Sequence, residues 1–83
     1  AIPVNRQQLA ELLWTTAGKP QPQSSVLFTD ISAEAIDSQK AARWCVEQGL
    51  MQADGTSFKP SRYTFRLQVI KAWNDLQAMQ KAG

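Results

Sequence analysis

Two stretches of this chain, sixty positions apart, read as copies of one another. Val4-Asn5-Arg6-Gln7-Gln8-Leu9-Ala10-Glu11-Leu12-Leu13 aligns with Thr64-Phe65-Arg66-Leu67-Gln68-Val69-Ile70-Lys71-Ala72-Trp73. Arg6 matches Arg66, Gln8 matches Gln68, and the apolar positions 9, 10 and 13 recur as 69, 70 and 73. An echo of this kind belongs to modular architectures, whose units cannot bury their apolar faces alone. Its register predicts that the chain starts in the last part of one repeat and ends after a complete second one. Three stretches follow from this: residues 1–18 as the closing helix of a preceding repeat, 19–25 as a linker, and 26–83 as one full repeat, together forming one compact unit.

At 83 residues the chain is one small domain or a piece of a larger array, and a chain this short hides only about 60% of its unfolded surface. Apolar residues make up 43% and charged residues 19%, a globular balance rather than a disordered one. Ala, Gln and charged residues interrupt every apolar run, so no transmembrane segment is expected. Histidine is absent, which removes the commonest general base and the commonest metal ligand. With Cys45 as the single cysteine, neither a Ser-His-Asp or Cys-His site nor an ordinary zinc site can be assembled, and no disulfide can close within the chain. A non-catalytic protein without metal or cofactor is expected. Cys45 reads as a small buried hydrophobe.

The pattern along the chain predicts an all-α fold of three helices with long, structured connections. Asn5 opens the first helix as its cap, with Gln8 at the third helical position completing a capping box. Leu9, Leu12, Leu13, Thr16 and Ala17 mark its inward face, Gly18 stops it, and Trp14 falls at the margin of the stripe. Residues 19–25 are polar and proline-punctuated, an extended surface connection. Val26 to Ile31 is β-leaning and pinned to the core through Phe28, and a very short β-like pairing near Phe28 and Phe58 is expected. Asp30 or Ser32 then caps a second helix that runs to about Gln48, where Gly49 ends it. Ala53-Asp54-Gly55-Thr56 is a turn, Phe58 and Pro60 clip down the next loop, and Thr64 or Phe65 opens the third helix. The inward face of that helix is predicted as Phe65, Val69, Ala72, Trp73, Leu76 and Met79.

These residues resemble the surface-layer homology (SLH) family. The resemblance rests on Phe28-Thr29-Asp30-Ile31, on the helix Ala41-Ala42-Arg43-Trp44-Cys45-Val46-Glu47-Gln48-Gly49-Leu50-Met51, on the loop Asp54-Gly55-Thr56-Ser57-Phe58-Lys59-Pro60, and on an Arg-containing helix opening. One full repeat is covered from about Val26 onward, and Pro3-Val4-Asn5-Arg6-Gln7-Gln8 stands at the helix opening of the preceding repeat. Asn5 and Phe65 occupy the place of the usual Thr, Leu67 that of Ala or Glu, and Ser57 adds a residue to the loop. The resemblance implies an SLH-like module of a secreted or surface-displayed bacterial protein. Such a module attaches its parent to an anionic secondary cell-wall polymer, often bearing a ketal-linked pyruvate on an amino sugar. It also implies ligand-binding roles for Arg6 and Arg66 in a groove between repeats, with Asn5 at the same opening and Asp54 and Gly55 supplying loop contacts.

Elementary chemistry bears on the same arginines. A helix start presents free N–H donors, which with an Arg fork make a cradle for a carboxylate. The competing assignment has each Arg pairing with an acid, such as Asp30 or Glu11, and locking the helix entrance. Between Gly55 and Asn74 stand Lys59, Arg62, Arg66 and Lys71 with no acidic residue, a run that can draw an anionic partner. Nucleic acid is not expected, because a helix-turn-helix needs a turn of three or four residues and the second and third helices lie much further apart. The second expectation for function is an SLH-derived protein-interaction or structural module without glycan. Its uncovered apolar surface would pack on a neighbouring repeat or domain, or on a second copy.

Overall fold

The computed structural model describes residues 3–82; Ala1 and Gly83, where the expected units begin and end, lie outside them. Its three helices are α1 (Arg6–Thr16), α2 (Ile36–Glu47) and α3 (Arg66–Ala82), and the fold is mostly helical. Among the described residues there are isolated backbone bridges but no strands. One bridge joins Asn5 to Tyr63 and the other joins Asp54 to Ser57. Near the expected pairing, Thr29 N–H donates to the Thr56 carbonyl (2.9 Å).

The ends of α1 follow from its sequence. Asn5 is extended, its Oδ1 accepts from Gln8 N–H (2.7 Å), and Gln8 Oε1 accepts from Asn5 N–H (2.9 Å), a complete capping box. At the other end Gly18 has φ 93°, and its N–H and that of Lys19 donate to the carbonyls of Thr15 and Trp14. α2 ends in the same way at Gly49, φ 75°, with Gly49 N–H on Val46 O and Leu50 N–H on Cys45 O. This six-residue closure needs a left-handed residue after the helix, which glycine adopts without a Cβ clash.

The start of α2 departs from expectation. It begins at Ile36 with Ala35 in the capping position and no side-chain cap. Ser32 Oγ accepts from Glu34 N–H inside the approach (3.3 Å), and Asp30 is engaged by another loop, as described below.

α1 packs on α2, and α3 leans on α1 over a smaller contact. The core holds Leu9, Ala10, Leu13 and Trp14 of α1, Ala41, Ala42, Trp44 and Cys45 of α2, and Ala72 and Leu76 of α3; Phe28, Ile31, Leu50, Met51 and Phe58 close it from the connections. Trp14 is therefore inside rather than at the margin, its indole N–H donating to the Pro20 carbonyl (2.7 Å). Leu12 and Thr16 face outward instead. Phe65, predicted inward, is 77% exposed; Val69, Trp73 and Met79 are half-buried. Gln39 is the one buried polar side chain among the described residues. It accepts from Phe28 N–H (3.0 Å) and donates to the carbonyls of Phe28 and Ile31 (2.9 Å each), stapling the 28–31 connection to α2.

Candidate functional site

A polar surface beside the opening of α1 is organised by a loop. Asp54 and Ser57 exchange backbone hydrogen bonds across a tight turn (3.0 and 2.9 Å). The Asp30 carboxylate then receives Ser57 Oγ–H (3.0 Å), Phe58 N–H (3.0 Å) and Lys59 N–H (2.8 Å). Those bonds hold Lys59 at φ 57°, a left-handed conformation uncommon for a residue with a Cβ. Phe58 is wholly buried, its ring tilted 38° to that of Phe28 with centroids 5.2 Å apart. Arg6 lies over the Phe58 ring, its guanidinium carbon 4.7 Å from the ring centre. Its Nε–H donates to the Phe58 carbonyl (2.8 Å) and an Nη donates to the Gln52 carbonyl.

The opening of α1 docks on the end of this loop. Arg6 N–H donates to Arg62 O (2.8 Å), Gln7 N–H to Pro60 O (3.0 Å), and Thr64 N–H and Oγ1–H both to Val4 O (2.9 and 2.7 Å). With Gln8 N–H on Asn5, the first donors of α1 are occupied, so the expected N–H cradle at this helix start is filled by the protein itself.

Beside it lies an open groove of ≈ 350 Å³, lined by Arg6, Gln52, Asp54, Lys59, Arg62, Tyr63, Phe65 and Gln68 among others. Three cations meet one carboxylate there, and Lys59 Nζ stands 3.9 Å from Asp54. Arg62 has no ion pair among the described residues. Burial, and after it the charge of Arg62, hold the Arg6 guanidinium below its ordinary pKa, with Asp30 opposing them. Arg6 stays cationic. Tyr63 and Phe65 are 66% and 77% exposed, flat apolar surfaces beside this charge.

Of the residues expected at a site, Arg6 and Asp54 come together in this groove. Asn5 caps α1 with its side chain. Gly55 is on the far side of the turn, lining a shallow cleft with Val26, Leu27 and Arg43. Arg66 is exposed at the first position of α3 and does not line the groove. Lys59 and Arg62 join instead, and both belong to the acid-free run between Gly55 and Asn74. Tyr63 had no signal of its own in the sequence. Neither Asp30 nor Glu11 ion-pairs with Arg6: Asp30 holds the loop, and Glu11 accepts from Gln7 Nε2 (2.9 Å).

Asp30 predicts a pH dependence. Desolvation pushes its pKa up, but the bonds from Phe58 N–H, Lys59 N–H and the Ser57 hydroxyl outweigh it and hold the group below the usual carboxylate range. A depressed carboxylate contributes stability above its unfolded pKa of about 3.9 and loses it as pH falls through the folded value. Thermal midpoints should therefore drop more steeply below about pH 4 in the native chain than in Asp30→Asn. Parallel curves for the two would remove Asp30 from this role.

Among the described residues no three His, Cys, Asp or Glu side chains gather as a metal site, and no helix is long and apolar enough to cross a membrane. Cys45 is buried, with its thiol pKa pushed up to about 12 by desolvation. No protein-family model matches the chain, and comparison with curated proteins and with solved structures finds none similar to it.

Proposed function

We propose that this chain is a non-catalytic binding module whose groove takes a carboxylate-bearing polysaccharide of the bacterial cell envelope, attaching a secreted or surface protein to it. The observation that carries the reading is the convergence of Arg6, Lys59 and Arg62 on one groove with exposed Tyr63 and Phe65 at its side. Arg forks recognise carboxylates through paired hydrogen bonds. Aromatic faces give a sugar ring an apolar surface to lie on while its hydroxyls stay wet. The resemblance to SLH repeats supports the same class of ligand, and the absence of histidine from the sequence fits a module that binds without reacting.

Arg6 is a poor probe of binding, because its removal also loosens the loop; Arg62 and Lys59 are the clean ones. The chain should sediment with purified Gram-positive-type cell wall whose polymer carries pyruvate ketals. Each of Arg62→Ala and Lys59→Ala should weaken that about tenfold, as expected for one charge-assisted hydrogen bond. Mild acid removal of the pyruvate should abolish it. Equal sedimentation by the Arg62→Ala, Lys59→Ala double variant would sink the proposal. A second reading, a protein-interaction module, is favoured by a different observation: Phe65, Leu67 and Ile70 all lie exposed along the start of α3.

A further inference from the structure

The sixty-residue echo can be laid on the structure residue by residue. α1 buries Leu9, Ala10, Leu13 and Trp14, and α2 is the helix packed on it. Sixty positions on, the same helical positions are Val69, Ile70, Trp73 and Asn74. Together with Leu12, these four line a shallow, almost wholly apolar groove of ≈ 380 Å³ on the outer side of the α1–α3 pair. Ala10 is fully buried whereas Ile70 is 46% exposed.

The helix openings repeat the contrast. Gln8 and Gln68 make the same bond back to the capping residue, Gln68 Oε1 accepting from Phe65 N–H (2.8 Å). Yet Arg6 and Gln7 donate their backbone N–H groups to Arg62 and Pro60, and Gln7 Nε2 also reaches the Ser38 carbonyl of α2 (3.2 Å). Their counterparts Arg66 and Leu67 lie exposed, Leu67 at 79%.

We infer that α3 is a second docking face, a copy of the one α1 offers, and that its occupant is a further unit built like residues 26–62. Such a unit brings an α2-like helix and a Phe–Pro loop. The helix covers Val69, Ile70 and Trp73, the matches of buried Leu9, Ala10 and Leu13, as α2 packs on α1. The loop supplies carbonyls to the Arg66 and Leu67 N–H groups as Pro60 and Arg62 do for α1. Ala41, Ala42 and Cys45 of α2 are wholly buried, and Cys45 Sγ lies 3.5 Å from the Ala10 carbonyl of α1; a partner facing Ile70 instead of Ala10 needs small residues at the matching positions. A second intact copy is not the natural occupant, since its own 26–62 unit is already filled by its own α1. The inference is independent of the glycan reading.

The test extends the full chain, joining residues 19–83 directly after residue 83. The added piece has no α1, so it can fold only by using the α3 before it. Docking predicts ellipticity per residue close to that of the 83-residue chain, one unfolding transition, and slowed exchange of the Arg66 and Leu67 amides in the first copy. Ile70→Ala there, restoring the residue found at position 10, should strengthen docking. Ile70→Lys should abolish it while moving the midpoint of the 83-residue chain by no more than about two degrees. An added piece that stays unfolded in both the native and Ile70→Ala forms, with ellipticity per residue falling by nearly half, overturns the inference. So does folding with the Arg66 and Leu67 amides exchanging as in the single chain. Protection of those amides in the 83-residue chain that rises with its concentration would assign the face to a second copy, and would overturn it as well.

Discussion

Gln39→Leu should destabilise this protein by about 3 kcal/mol or more, although Leu nearly matches Gln in volume and suits an apolar core. The native amide answers one N–H and two carbonyls of the 28–31 connection, with all three bonds at 2.9 to 3.0 Å. Leucine would leave those three backbone groups facing the core without partners, at about 1–3 kcal/mol for each that cannot reach water. Some of the loss will be relieved by the connection peeling outward, because Val26 and Leu27 beside it are already exposed. Peeling, however, would draw Phe28 and Ile31 out of the core. A native stability of a few kcal/mol is what a chain of this size can hold, so the variant should be largely unfolded at 37 °C. A denaturation midpoint within a few degrees of the native one would show that the connection does not depend on this staple.

Nothing in the sequence around Gln39 announced that role. It sits on a helix between Ser38 and Lys40, and only the fold brings the backbone of residues 28 and 31 within its reach. The caps were legible because their partners are three residues away: Asn5 with Gln8, Gly18 with Thr15, Gly49 with Val46. The inward face of α1 was not. Leu9, Ala10, Leu12, Leu13 and Trp14 are all apolar and span more than half the helix circumference, so tertiary packing decides which of them are covered. It selects Ala10 and Trp14 over Leu12 and Thr16.

Asp30 shows the same division. Its type and position suit a helix cap, but three donors of residues 57–59, almost thirty positions on, take its carboxylate. The groove inherits that remoteness. The acid-free run pointed to Lys59 and Arg62 as charges, while their convergence with Arg6 depends on the loop that Asp30 ties down. The echo itself was legible as sequence, and its second copy at α3 carries the face inferred above to dock a further unit.

Phe58→Ala should be comparably costly, about 3–5 kcal/mol for a large aromatic removed from a closed core, and it should also disable the groove. Phe58 is fully buried, packs against the Phe28 ring and carries the Arg6 guanidinium over its own. Truncation removes dispersion contacts to both neighbours, because a cavity the size of the ring cannot close without moving Phe28 or α1. Phe58→Leu separates two contributions. It keeps most of the volume and loses the ring face, so the difference from the native chain measures packing shape together with the cation–aromatic contact.

A double-mutant cycle with Arg6→Met isolates the second term, since Met preserves the apolar stem and cannot ion-pair. Coupling of about 1 kcal/mol is expected for a partly buried guanidinium over a ring. The carbonyl of Phe58 remains in every variant, so the Arg6 Nε–H bond to it is not what the cycle reads. Coupling near zero would mean that Arg6 is placed by the Phe58 and Gln52 carbonyls alone. In that case, on the proposed function, Phe58→Leu should bind the anionic wall polymer as well as the native chain is expected to. With the coupling present, binding should weaken in Phe58→Leu even at temperatures where the variant is fully folded, because the ring sets where the Arg6 charge stands relative to Arg62 and Lys59.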